Sequence, residues 1–181
     1  IPVVDAETGL IQQASIFVGV LGASSYTYAE AQLGQTLAHW IGGHLRMFSF
    51  FGGVCQVLVP DNLKSGVRHP CRYEPDLNPT YQDFAAHYGV AVLPARVRKP
   101  RDKAKVEVGV QVVERWILAR LRHRTFCALA ELNRAIRDLL EAVNQRPMRA
   151  WGTSRRELFL TLDQPALRPL PDQPYDALTV L

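Results

Sequence analysis

At 181 residues and 48% hydrophobic content, the chain suits one globular domain with a real core and an extra helical or linker piece at an end. The net charge of +4 and pI near 9.2 are modest, but the excess is concentrated in residues 96–105 and in Arg146, Arg149, Arg155 and Arg156. Cys55, Cys71 and Cys127 are odd in number, far apart and without a CxxC pair, which argues against a disulfide framework or structural zinc and makes reducing cytosol the expected compartment. No stretch approaches the roughly 20 apolar residues of a membrane span, and the start IPVVDAETG lacks the pattern of a secretory signal. The first residue is not Met, so the chain reads as a piece of a longer one.

In chain order, Ile1 to Val4 is a strand candidate, Asp5 to Gly9 a turn, and Ile16 to Leu21 a second strand that completes a hairpin. Gly22 to Ser25 turns again, and the alternating Tyr26 to Ala31 makes an antiparallel meander of three strands. From Thr36 the period becomes helical through Leu37, Trp40, Ile41, Leu45 and Phe48, and Gly52-Gly53 ends the helix. His39 and His44 have no acidic or Cys partner at ligand spacing, so they read as surface or boundary residues of this helix.

Val54 to Val59 is a valine-rich run expected to form a strand buried on both faces, which places Asp61 at a strand's carboxyl end. Pro79 to Tyr88 reads as a helix and Val90 to Leu93 as a strand, a crossover that makes the two strands parallel. Open sheets of this kind bind ligands beyond the carboxyl ends of their strands, the edge where Asp61 and the basic stretch after Pro94 are expected.

That stretch holds Arg96, Arg98, Lys99, Arg101, Lys103 and Lys105 against Asp102 alone, a positive potential suited to phosphate. It is read as a loop running into a long helix whose first turn carries Glu107. Neighbouring cations and a helix N-terminus both favour a charged carboxylate, so Glu107 suits metal holding better than proton donation; a Lys103–Glu107 helix pair is the plain alternative. Val106, Val110, Val113, Ile117 and Leu121 form the apolar stripe, with Glu107, Gln111 and Glu114 on another face. A helix over about 128–144 buries Leu132, Ile136, Leu139, Leu140 and Val143 and ends before Pro147. A short helix at about 154–162 and a proline-rich extended segment, 165–174, follow.

This order of elements, with an aspartate ending a buried strand, a glutamate opening a helix and a basic loop before it, resembles the RNase H-like core of DDE transposases and retroviral-type integrases. The segments FVGVLGASSYTYAEA, FFGGVCQVLVPDNLKSGV, YEPDLNPTYQDFAAHYG, RKPRDKAKVEVGVQVVERWILARLR and SRRELF resemble the large (IstA-type) transposase subunit of the insertion sequence twenty-one family. Asn144-Gln145-Arg146-Pro147 resembles the Asn-x-Arg-Pro ending seen after many integrase cores. The resemblance implies an α/β fold: a mixed sheet of an antiparallel three-strand meander and then parallel strands, with helices on both faces. Residues 1–150 would be the catalytic core, its first strand truncated, and 151–181 a short helix and linker toward a C-terminal domain.

The resemblance also makes Asp61 and Glu107 the second and third acids of a catalytic triad, with the first expected upstream of Ile1. Asp5 is a turn residue by its setting, and Glu114 is the rival for the third acid. Two magnesium ions about 4 Å apart, or manganese in their place, would be held by these carboxylates, hard donors for a hard cation. Lys64, Arg96, Arg98, Lys99, Arg101, Lys103 and Lys105 would contact the DNA backbone, with Asn62 supporting; Asn62 and Lys64 read equally as ordinary loop residues. The implied activity is 3′-end cleavage and strand transfer of a mobile element. Implied partners are transposon-end and target DNA, further copies of the parent protein and a helper ATPase; the implied setting is the bacterial cytoplasm, at the nucleoid. An RNase H-like nuclease that never joins, and a non-catalytic DNA-binding or assembly piece, remain the alternatives.

Overall fold

The computed structural model describes residues 1–5, 7–60, 78–93 and 100–176, with backbone alone over 100–103. The chain forms two compact units, Ile1–Gly34 with Lys105–Pro165, and Gln35–Ala104 with Ala166–Leu181. No described helix is long and apolar enough to cross a membrane.

The first unit opens with β1 (Pro2–Val4) paired antiparallel to β2 (Ile11–Gln13), Val3 opposite Gln12. Asp5 makes the turn: its Oδ1 accepts from the Thr8 N–H (2.7 Å), the Thr8 hydroxyl (2.8 Å) and the Glu7 N–H (3.0 Å), and Gly9 supplies φ +69°. β3 (Ser15–Val20) pairs antiparallel with β4 (Thr27–Gln32), Val18 opposite Ala29. The opening is thus antiparallel, as expected, but in four strands rather than three, and β1 pairs with β2 rather than with the strand at 16–21: among the described residues the strands form separate two-stranded sheets in place of one continuous meander. β2 escapes pattern reading because Ile11, Gln12 and Gln13 are all exposed and carry no apolar alternation.

All six residues of β4 are buried, including the carboxylate of Glu30, which accepts from the Tyr28 hydroxyl (2.8 Å) and Gln32 Nε2 (2.6 Å). Along the outer edge of β4 lies α5 (Leu129–Gln145), whose Leu132, Ile136, Leu140 and Val143 are buried as the period predicts. Two asparagines bind that edge. Asn133 accepts from the Ala31 N–H (2.7 Å) and donates to the Ala31 carbonyl (3.0 Å), while Asn144 accepts from the Thr27 N–H (3.1 Å) and donates to the Thr27 carbonyl (2.8 Å). Eleven residues is close to three helical turns, so both asparagines lie on one face, and the rise of about 16 Å compares with about 13 Å for a strand from 27 to 31, a difference the side chains span. Ser154 caps α6 (Arg155–Leu158) in a reciprocal box with Glu157, and the following π-helical turn, Phe159–Asp163, stacks Phe159 on Tyr26 at 4.4 Å.

α3 (Pro100–Val113) runs through a π-helical turn, Glu114–Leu118, into α4 (Ala119–Leu121). Gly109, Val113, Ile117 and Leu121 are the buried positions. A strict four-residue spacing drifts round a 3.6-residue helix, and one wider turn takes up the drift, so the stripe stays on the core. A Cβ at Gly109 would overlap the Val20 side chain, so glycine there lets α3 approach β3. The helix begins about two turns earlier than the sequence suggested: Pro100, a good first-turn residue, starts it, and Arg101, Lys103 and Lys105 are helical rather than loop.

In the second unit, α1 (Leu37–Phe51) is capped by Thr36 and ended by Gly52 at φ +72°. β5 (Val57–Leu58), α2 (Pro79–His87) and β6 (Ala91–Val92) form the expected crossover with parallel strands, Leu58 opposite Val92. β5 is buried on one face only, with Leu58 8% and Val57 43% exposed; among the described residues its one strand partner is β6. The proline-rich segment, expected to be extended throughout, begins in a 3-10 turn at Gln164–Ala166, and from Ala166 it belongs to this unit. Arg168 exchanges both backbone hydrogen bonds with Val54 and donates from its guanidinium to the Gly89 carbonyl (2.6 Å), while the Tyr175 hydroxyl donates to Asp83 (3.1 Å).

His44 corrects its surface assignment. It is 4% exposed, donates Nδ1–H to the Trp40 carbonyl (2.9 Å) and is ringed by Trp40, Phe48, Tyr81 and Phe84. Burial holds its pKa down at about 4, despite the opposing backbone bond to Trp40.

Two outcomes follow. Asn144→Ala leaves the Thr27 N–H and C=O buried without their partners, and urea unfolding should show a loss of about 3 kcal/mol. Because an unfolded His44 protonates near 6.5 and the folded one only near 4, stability is full above 6.5 and falls with pH across that window, by roughly 3 kcal/mol. Melting profiles of wild type and His44→Leu against pH should converge as this term is lost; parallel profiles would refute it.

Candidate metal centre and nucleic-acid interface

Glu107 projects from the exposed side of α3, and its carboxylate makes no hydrogen bond or ion pair with any described residue. It lies about two turns into the helix, beyond the reach of the N-terminal dipole, so the expected help from a helix terminus does not apply. Gln111 and Glu114 share its exposure, as the wheel predicts. Lys105 is exposed one position before Val106, and Arg101 and Lys103 occupy the opening of α3. Asp61, Asn62, Lys64, Arg96, Arg98 and Lys99 lie outside the described residues.

The described chain ends at Pro60 and at Leu93, in both cases just past the carboxyl ends of the paired strands β5 and β6. Among the described residues no three His, Cys, Asp or Glu side chains cluster as a metal site. The described carboxylate, Glu107, offers oxygen of the type magnesium prefers, so the chemistry of the residue fits. Asp5, by contrast, is committed to its turn: the Thr8 N–H, the Thr8 hydroxyl and the Glu7 N–H lower its pKa. His39 is likewise engaged, with Nδ1 2.8 Å from the Thr36 hydroxyl.

One cationic arrangement was not legible in the sequence. Trp116, in the π-helical turn, has the Arg146 guanidinium over its ring at 3.9 Å and that of Arg120 at 5.6 Å. Arg146 was singled out as part of a charge excess and of the Asn-x-Arg-Pro pattern, but nothing periodic links it to position 116. The motif has a structural division of labour: Asn144 binds the edge of β4, Arg146 covers Trp116, and Pro147 pairs with Ser154 where the chain turns back toward α6.

No protein-family model matches the chain. It is 55% identical over 179 residues to a protein assigned as the transposase for insertion sequence IS408 of Burkholderia multivorans, spanning 99% of this chain and 35% of that protein. It is 54% identical over 179 residues to one assigned to IS1162 of Pseudomonas fluorescens, spanning 99% and 32%. The transposase of IS21 from Pseudomonas aeruginosa is 27% identical over 160 residues, spanning 88% and 40%. The chain thus spans about a third of the length of the relatives it matches best in identity among these.

Among solved structures, the simian T-cell lymphotropic virus intasome in complex with PP2A regulatory subunit B56 gamma superposes with a TM-score of 0.64 at 12% identity, over 97% of this chain and 58% of that one. The catalytic core domain of BIV integrase gives 0.61 at 14%, over 91% and 93%. The HTLV-2 integrase catalytic core in complex with magnesium gives 0.57 at 18%, over 82% and 85%. At such identities the likeness is one of fold. By sequence the chain is matched along nearly all its length by insertion-sequence transposases, the IS21 transposase among them, and its fold is the RNase H-like fold of integrase catalytic cores.

Proposed function

We propose that this chain forms the catalytic core of a DDE-type DNA transposase that cleaves the 3′ ends of a mobile element and joins them to target DNA. The observation that carries the reading is 55% identity along 99% of the chain to an insertion-sequence transposase, on an integrase-type fold. Asp61 and Glu107 are the residues we assign to hold divalent metal, magnesium with manganese as substitute. Bound there, two such ions supply an activated oxygen nucleophile at neutral pH and neutralise charge on the phosphate and leaving oxygen.

The chain's own part is to present carboxylates and to hold the DNA backbone. Glu107 offers an exposed carboxylate with no described partner, as a ligand must. Arg96, Arg98, Lys99, Arg101, Lys103 and Lys105, with Lys64, place the backbone by contacts that carry no sequence information, and Asn62 supports them beside Asp61. The same reading extends to an assembly of several copies on paired DNA ends, to a helper ATPase and to action in the bacterial cytoplasm at the nucleoid.

In the full-length protein, Asp61→Asn or Glu107→Gln should reduce strand transfer about a hundredfold or more while sparing binding to element ends, since even an outer-shell partner of a ligand is worth about 10–100-fold. Normal joining by either variant refutes the assignment, and cut ends that never appear in joined product favour the hydrolytic nuclease. Replacing Lys99 and Arg101 together by Ala should lower the slope of log affinity against log salt by up to about two; an unchanged slope removes them from the interface.

A further inference from the structure

The Trp116 cluster has no assigned role in cleavage or joining. Arg120 and Arg146 are exposed, lie against one indole, and make no hydrogen bond or ion pair with any described residue. The nearby acid on α5 is committed elsewhere: Glu141 accepts from Arg156 (3.1 Å) and from Gln145 Nε2 (2.6 Å). Residues 115–124 carry Arg115, Arg120, Arg122, Arg124 and His123 and no acid at all. Arg155, half-buried with Nη1 3.3 Å from the Val143 carbonyl, has its pKa lowered by burial and then by the charge of Arg146, a further cation close to the pair. Two forked cations gathered on one ring repel each other, and an anion between or beside them relieves that repulsion. Cation–π attraction to the indole, at 3.9 Å for Arg146 and 5.6 Å for Arg120, restrains both side chains, so less freedom is lost when they bind.

We propose that Trp116, Arg120 and Arg146 form a second contact for the phosphate backbone of duplex DNA, distinct from the acids and from residues 96–105. It rests on the reading of the chain as a DNA enzyme and extends it to a surface that reading does not include. Trp116 follows Glu107 by nine residues on one continuous helical run, about 13 Å of rise, or about four base steps of duplex. Nine residues also turn the helix by about two and a half turns, so the cluster looks out on a different side of the run from Glu107 and offers a separate contact. Arg120 and Arg146 each donate forked hydrogen bonds to phosphate oxygens, and Trp116 keeps the forks apart and aligned.

The test is duplex DNA of mixed sequence titrated with the chain over a range of salt. Arg120→Gln with Arg146→Gln, which keeps planar groups over the indole, should weaken binding on the order of tenfold or more and lower the salt slope by about two. Arg134→Ala, a loss of one exposed charge about three turns earlier on α5, should leave the slope within error. The Arg120→Lys, Arg146→Lys pair keeps both charges and should keep the slope while losing part of the affinity. An unchanged slope in the Gln pair, an equal loss in the Lys pair, or a wild-type chain that binds no duplex overturns the proposal. Displacement by polyglutamate as effective as by duplex also overturns it, in favour of an acidic protein partner. A full-length wild-type protein that cuts element ends and never joins them would sink the transposase reading alone, since the salt slope is read from binding without chemistry.

Discussion

The first unit depends on how the outer edge of β4 is satisfied. A strand with all six side chains buried has no water to complete its unpaired N–H and C=O groups, and a bare edge is a template for another chain. Asn133 and Asn144 each present a carboxamide that copies the donor and acceptor of a neighbouring strand, at Ala31 and at Thr27. A helix so replaces a strand at the sheet edge, and its apolar face is brought with it onto the core. Leu, the residue that α5 periodicity alone would favour at these two positions, would fill space and leave the strand unsatisfied.

The candidate chemistry is placed by a second constraint, the phase of the helical run from Pro100 to Leu121. Burial of Gly109, Val113, Ile117 and Leu121 fixes which side faces the core, and Glu107 is left on the exposed side by exclusion. The π-helical turn then sets the direction of Trp116. Hence one helical run offers an exposed acid with no described partner and, farther along and on a different side, a half-buried aromatic carrying two cations. Gly109 adds the close approach to Val20 that seats the run against β3.

Periodic and local signals were legible in the sequence. Caps and stripes located α1, α2 and α5, the strand–helix–strand crossover gave β5 and β6 their parallel sense, and Asp5 was readable as a turn residue from Asp-x-x-Thr-Gly alone. Signals that depend on distant partners were not. β2 is held by β1 rather than by apolar alternation, β5 lacks cover on one face, and the His44 environment comes from α2, far along the chain. The start of α3 was missed because a run of like charges suggests a solvated loop, whereas Pro100 needs no N–H at a first turn. Of the candidate site, Glu107 was legible in its exposure, while the meeting of Arg120 and Arg146 on Trp116 required the fold.

The bond between Thr27 and Asn144 joins positions 117 apart in the chain. On a ribosome adding about 5–20 residues each second, the β3–β4 hairpin waits several seconds or more before its partner is even made. Each unit is split in sequence, so the second unit's residues 35–104 are synthesised in that interval, and they in turn wait for Arg168. Neither unit can close behind the ribosome as an independent piece. While the residues between β4 and Asn144 are being added, the outer edge of β4 stands open, a template for another chain until its asparagines are made.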